Sequence, residues 1–222
     1  MFKKYITLIG LLTVVSAAHA ATVGPFVDAS IGSSMINTPV AFAFNLTAGN
    51  ALMKRQIGGF GWRVAGGYNF TKYFGVEGAY LRPADSKYTA SGDLANASLT
   101  YSDKIGELLF DGYWTTTRRS DIYGKVGAAY INQQVGYQND NAYILPINTE
   151  KFSPDITGGH YSKIAPAFEL GMSYSFIPSA MINVGYTYIY SDADFKNQKD
   201  AVAGASYLSV GLRYTFPVAK HA

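Results

Sequence analysis

Apolar and polar residues alternate one by one along most of this chain, in eight separate stretches. In residues 206–216, Leu208, Val210, Leu212, Tyr214 and Phe216 alternate with Tyr207, Ser209, Gly211, Arg213 and Thr215. A period of two sends successive side chains to opposite faces of a strand, so this element has one apolar face and one face that holds a charge. The same alternation runs through residues 23–33, 58–70, 73–83, 104–115, 121–131, 162–176 and 180–191. Opposite the apolar face stand Asp28, Arg63, Glu77, Glu107, Asp111, Lys125, Glu169 and Arg213, among glycines, alanines and serines. Pro166 falls on the apolar face of its strand and removes a ladder hydrogen bond, which predicts a place near a rim or at a bulge.

The connections between these strands alternate in length. Residues 71–72, 116–120 and 177–179 make tight turns, whereas 34–57, 84–103, 132–161 and 192–204 are long. Eight strands with an aromatic-rich face need that face buried, and a bilayer buries it without a second protein layer. In lipid every backbone N–H and C=O must be paired, so the sheet has to close, which places residues 206–216 beside 23–33. The expected fold is all-β, a closed eight-stranded antiparallel transmembrane β-barrel with up-and-down topology. Short turns and both termini then face the periplasm, and the long loops are extracellular. Phe70, Phe74, Trp114, Tyr174 and Phe216 fall toward the short-turn end and Trp62, Tyr80, Tyr130 and Tyr190 toward the long-loop end, as two interfacial girdles.

Composition agrees with that reading. The 222 residues include 23 Gly, 18 Tyr and 13 Phe, and only 15% are charged, against roughly 25% in soluble domains. Residues 1–20 read as a signal peptide: Lys3 and Lys4, an apolar run over 6–15, and Ala18 and Ala20 at the positions a signal peptidase reads. An uncleaved anchor is the alternative, for which the apolar run is short. The barrel then occupies 21–216, with a short tail at 217–222. Beyond the first twenty residues no apolar run is long enough for a membrane-spanning helix. Loss of Lys3 and Lys4 lowers the net charge from +3 to +1, leaving no basic stripe for nucleic acid. The chain has no Cys and therefore no disulfide framework.

The charged inner face admits two functions. Eight strands leave a lumen only just wide enough for side chains, so the mixed charges form an ion-pair plug, or a narrow channel in which breaking one pair opens a path for ions or small hydrophobic molecules. If the turn at 116–120 is centred on Arg118, Asp111 lies directly opposite Lys125. Arg63 with Glu77, and Arg213 with Asp28, are expected partners on adjacent strands.

The segments GWRVAGGYNF, YFGVEGAY, IYGKVGAAY and GLRYTF resemble the eight-stranded transmembrane domain of the outer-membrane protein A and opacity protein superfamily of Gram-negative bacteria, over residues 23–216. That resemblance implies an integral outer-membrane protein with a structural or surface role in envelope integrity or loop-mediated adhesion. It implies outer-membrane lipid and lipopolysaccharide, the assembly machinery, and a host or surface ligand of the long loops as partners. It also implies that the end of the last strand, with Gly211, Tyr214 and Phe216, serves as the assembly signal. The family's longer members carry a periplasmic peptidoglycan-binding domain, and cell-wall tethering is not expected from the short stretch after Phe216.

Three other features bear on function. His160-Tyr161-Ser162 is similar to the His-x-Ser of lipid A deacylase barrels, with Glu169 downstream to orient the imidazole. Glu169 belongs to the inner face well below the rim, so no catalytic residue is assigned. Asp192, Asp194 and Asp200 suggest calcium, but Lys196 stands where a loop of that kind needs an oxygen ligand; no metal or cofactor is expected. Residues 29–53 carry no charge, and Val40, Phe42, Phe44 and Leu46 alternate with Ala41, Ala43 and Asn45. This stretch either extends the wall beyond the membrane or offers an apolar patch to a host surface or a small hydrophobe.

Overall fold

The computed structural model describes residues 22–37, 52–91, 96–139, 159–191 and 202–216. Residues 1–20, the tail at 217–222, the alternating run at 40–46, and Asp192, Asp194 and Asp200 lie outside them. The described strands are β1 Gly24–Asn37, β2 Leu52–Gln56, β3 Gly59–Asn69, β4 Phe74–Arg82, β5 Ser86–Ser91, β6 Asn96–Thr115, β7 Ser120–Asn139, β8 Gly159–Ile177, β9 Ala180–Ile189 and β10 Gly204–Thr215. They make eight staves, because β2 with β3, and β4 with β5, are each one stave interrupted once. Pairing runs β1, β3, β4, β6, β7, β8, β9, β10 and back to β1, with β2 and β5 continuing the β3 and β4 staves above the break. The sheet is closed and antiparallel throughout.

Both interruptions have a local cause. Gly58, between β2 and β3, has φ of +75°, a conformation that suits glycine. Pro83 follows β4 directly and has no N–H to continue the ladder. At the other end of the barrel two of the three short turns are closed by threonine hydroxyls. Thr71 Oγ1 accepts the N–H groups of Tyr73 and Phe74 at 3.1 and 3.0 Å, and Thr117 Oγ1 accepts those of Arg119 and Ser120 at 3.3 and 3.0 Å, the usual way Ser and Thr stabilise turns. The second turn sets the expected register, with Trp114 opposite Ile122 and Asp111 opposite Lys125.

Alternation becomes burial. On β6, Leu108, Phe110 and Trp114 face out, and Glu107, Leu109, Asp111 and Tyr113 are buried inside. The outward apolar positions of β7 run from Ile122 to Tyr130, about nine residues, the length a tilted strand needs to cross a bilayer. The aromatics of both girdles are exposed on the outside, Trp62 and Tyr80 with ring centroids 5.5 Å apart.

Two expectations need correction. Several strands run well beyond the predicted boundaries: β6 begins at Asn96 and β7 continues to Asn139, so parts of three long connections are wall. Outward positions such as Ser102, Asn132 and Gln134 are polar there, and the apolar-against-polar contrast fades where water replaces lipid. Inward Leu99, Tyr101 and Val135 nevertheless stay buried. Pro166 lies within β8 rather than at its rim, and the bulge between β8 and β9 is at Ser175/Ile177. Its carbonyl accepts the Tyr190 N–H at 3.0 Å. In an antiparallel ladder a residue's N–H points to the same neighbour as its C=O, so the missing donor falls where β9 ends.

Candidate functional site

The alternating inward positions stack inside the barrel in layers. Toward the short turns, above buried Asn69, Thr115, Asp121 and Thr215, lies the charged layer. All eight lumen residues enter it, and none is more than 7% exposed. Above it lies an apolar layer that includes Leu81, Ile105, Ile131, Ile189, Val202 and Tyr207. Higher still, Asp103 and Gln133 face one another, and Ile36, Tyr88, Leu99 and Tyr101 form a second apolar cluster.

Glu77 is the hub of the charged layer. Its carboxylate accepts hydrogen bonds from Lys125 Nζ at 3.0 and 3.1 Å, from Arg63 Nη2 and from Arg213 Nη2. Arg63 Nε also donates to Glu107 Oε2 at 2.7 Å, and Lys125 Nζ reaches Glu169 Oε1 at 3.1 Å. Arg213 Nε donates to Asp28 Oδ2 at 3.1 Å, while its Nη1 lies 3.6 Å from Asp111 Oδ2 and donates to the Tyr113 hydroxyl. The guanidinium of Arg213 also sits 4.0 Å from the centroid of the Phe26 ring, close enough for a cation–π contact.

Asp111 and Lys125 are opposed in register but choose other partners. Lys125 pairs with Glu169, its register partner on β8, and reaches past β6 to Glu77 on β4, while Asp111 turns to Arg213 and accepts a hydrogen bond from Tyr113 at 3.0 Å. A closed narrow cylinder brings strands that are distant in the sheet within reach of long side chains, so cross-lumen contacts compete with adjacent ones.

Sequence reasoning passed over several members of this interior. Asn183 Nδ2 donates to Asp28 Oδ2 at 2.6 Å, and Thr187 Oγ1 lies 3.4 Å from Glu169 Oε2. Tyr123 is accommodated by two glycines: a Cβ on Gly171 or Gly185 would lie 2.4 or 2.5 Å from its hydroxyl oxygen. All share the inward parity of the charged residues, which is the signal that could have found them.

Asp103 lies above the lipid band, since its neighbours Ser102 and Lys104 occupy the outer face. Its Oδ1 accepts a hydrogen bond from Gln133 Nε2 at 2.9 Å, and its Oδ2 has no hydrogen-bond partner. Burial pushes its carboxyl up to about 7, against the opposing effects of the Gln133 hydrogen bond and the Arg82 charge, with Asp85 adding a further upward push.

Residues 6–216 match the outer membrane protein beta-barrel domain. The chain belongs to that family. Solved structures of similar fold include Neisserial surface protein A (16% identity, 87% of this chain and 97% of that chain covered, TM-score 0.50). OprG of Pseudomonas aeruginosa covers 90% of this chain and 100% of its own, with 16% identity and TM-score 0.47. Ail, the attachment invasion locus protein of Yersinia pestis, covers 87% and 99%, with 15% identity and TM-score 0.44. Among curated proteins no sequence matches this one.

This outer-membrane barrel therefore spans the bilayer with its strands, and its remaining candidate residues can be placed on that frame. Tyr214 and Phe216 stand on the lipid face of β10 and beyond its end, their rings 5.0 Å apart and near perpendicular. Phe216 N–H donates to Pro25 O at 2.8 Å, helping to fasten the closing stave to the first. Gly211 faces inward, where a Cβ would meet Asn183 Oδ1 at 2.3 Å and Ser30 Cβ at 2.8 Å. His160 and Ser162 point outward on β8 while Glu169 faces the lumen, so these three side chains do not converge.

Proposed function

We propose that this outer-membrane barrel is a non-conducting, non-enzymatic wall element whose work is done by the surface it presents at the long-loop end. The reading places the short turns and both chain ends in the periplasm, after removal of residues 1–20. It gives the loops the task of envelope integrity or adhesion through a surface ligand. It also assigns Gly211, Tyr214 and Phe216 to recognition by the assembly machinery.

The observation that carries the reading is the filled lumen. The charged layer saturates Glu77 with three cations, and an apolar layer lies directly above it. A conducting path would have to break buried pairs and also wet that apolar layer. Planar-bilayer recordings test this. The wild-type barrel and its Glu77→Ala and Lys125→Ala variants are expected to show no single-channel steps; discrete steps, or steps that appear only in the variants, would favour a gated channel.

A further inference from the structure

Below the charged layer, at the short-turn mouth of the lumen, three neighbouring staves present oxygens to one another. Thr115 of β6 is directly opposed in register to Asp121 of β7, and Asp121 to Ser173 of β8, which sets their Cβ atoms about 5 Å apart from stave to stave. All three face inward and are 7%, 1% and 4% exposed. Thr115 Oγ1, Asp121 Oδ1 and Ser173 Oγ are each buried without a hydrogen-bond partner among the described residues. Thr115 lies close enough to steady the Asp121 carboxylate, yet its hydroxyl stays outside hydrogen-bonding geometry.

The groups around this row are committed elsewhere. One step up the same inner faces, Tyr113 gives its hydroxyl to Asp111 Oδ2 at 3.0 Å, and the Tyr123 hydroxyl lies over Gly171 and Gly185. Asn183, opposite Ser173 on β9, spends its Nδ2 on Asp28 Oδ2 at 2.6 Å. In the charged layer Asp28, Glu77, Glu107, Asp111 and Glu169 already outnumber Arg63, Lys125 and Arg213. Asp121 adds a further acid, and among the described residues no Lys or Arg pairs with it.

A carboxylate removed from water must be paired or ligate a metal ion, and a hydroxyl can turn its proton away and offer lone pairs. We propose that Thr115, Asp121 and Ser173 bind one alkali-metal cation at the short-turn mouth. Asp121 Oδ1 supplies the charge, the two hydroxyl oxygens flank it, and water from the mouth completes the shell. One carboxylate balances one positive charge. A divalent ion would keep an uncompensated charge, and no group of three His, Asp or Glu placed to hold a metal occurs among the described residues. The site ties β6, β7 and β8 together beneath the ion pairs, so it requires no conduction through them.

Sodium binding by the refolded full-length barrel in uncharged detergent micelles tests the assignment, with N-methylglucamine chloride at equal ionic strength as the comparison. The barrel is expected to broaden the sodium nuclear resonance. In urea unfolding, the folding equilibrium constant is expected to rise about elevenfold when sodium stands at roughly ten times its dissociation constant. Asp121→Asn, which keeps the shape and loses the charge, is expected to abolish both effects. Ser173→Ala and Thr115→Val each remove one oxygen from the wall and are expected to weaken sodium by about tenfold, a reading that does not depend on Asp121→Asn refolding. Equal line widths and midpoints in the two salts, or a sodium effect unchanged in these variants, would overturn the site and leave the three oxygens to ordered water or to a proton on Asp121. Tighter binding of magnesium chloride than of sodium chloride would overturn the choice of ion.

Discussion

Glu77 is fully buried and holds Arg63, Lys125 and Arg213 together, so its removal strands three cations at once. Breaking a buried pair by deleting one partner typically costs about 3–5 kcal/mol. Glu77→Gln is expected to destabilise by that order in urea unfolding from lipid vesicles. Glu107 is different: its Oε1 has no hydrogen-bond partner, and its Oε2 serves only Arg63 Nε. Glu107→Gln keeps an acceptor for that bond and also trims the network's excess of acids, five against three bases. Its expected cost is well under half that of Glu77→Gln in the same measurement. Asp103 supplies a pH dependence. Its carboxyl is raised to about 7 in the fold by burial, against an ordinary value near 3.9. The folded state therefore binds the proton more tightly. The resulting stability is full below the unfolded value and is lost as pH rises toward and through about 7. Asp103→Asn retains the acceptor for Gln133, and its thermal midpoint is expected to vary less between pH 4 and 8 than that of the wild type.

Among the elements, each strand couples two tasks through its pleat, lipid contact outside and space filling inside. Tyr123 of β7 shows how tightly neighbouring staves are matched, because Gly171 of β8 and Gly185 of β9 both leave room for its ring end. A methyl on Gly185 would lie 2.5 Å from the Tyr123 hydroxyl oxygen and 3.0 Å from Glu169 Oε1, with only side chains to displace. Gly185→Ala is therefore expected to cost about 1–3 kcal/mol, the usual range for overpacking. Tyr123→Phe in the same chain removes the nearest atom and is expected to recover part of that cost. A double-mutant cycle on the urea midpoint reads the coupling; strictly additive effects would show that the methyl is absorbed elsewhere. At the ends of the elements, Thr71 and Thr117 close turns by local hydrogen bonds, whereas β1 and β10 depend on residues at opposite ends of the chain finding each other.

For the whole molecule, closure leaves the wall without a free edge and makes the interior a column of alternating character: charged, apolar, polar and apolar again. That column, more than any single residue, favours a wall element over a pore, and it leaves the outer face as the place where this protein meets its surroundings. The period of two by itself determined the number of staves, the lipid-facing set, the short-turn and long-loop ends and eight inward charges, because side-chain direction in a strand depends only on local pleat; buried Asp103 and Asp121 were missed. Turn length likewise made the opposition of Asp111 and Lys125 readable. Tertiary structure decided which charges pair beyond the adjacent-strand partners Arg63–Glu77 and Arg213–Asp28, because Lys125 and Arg213 reach Glu77 from non-adjacent staves in a lumen whose width and stagger arise only on closure. It also decided how far the wall extends past the membrane, since outside the lipid band the outer face loses its apolar signature while the inner face remains packed. The apolar layer above the charges was likewise hidden, as it collects residues from several staves that lie side by side only in the closed sheet.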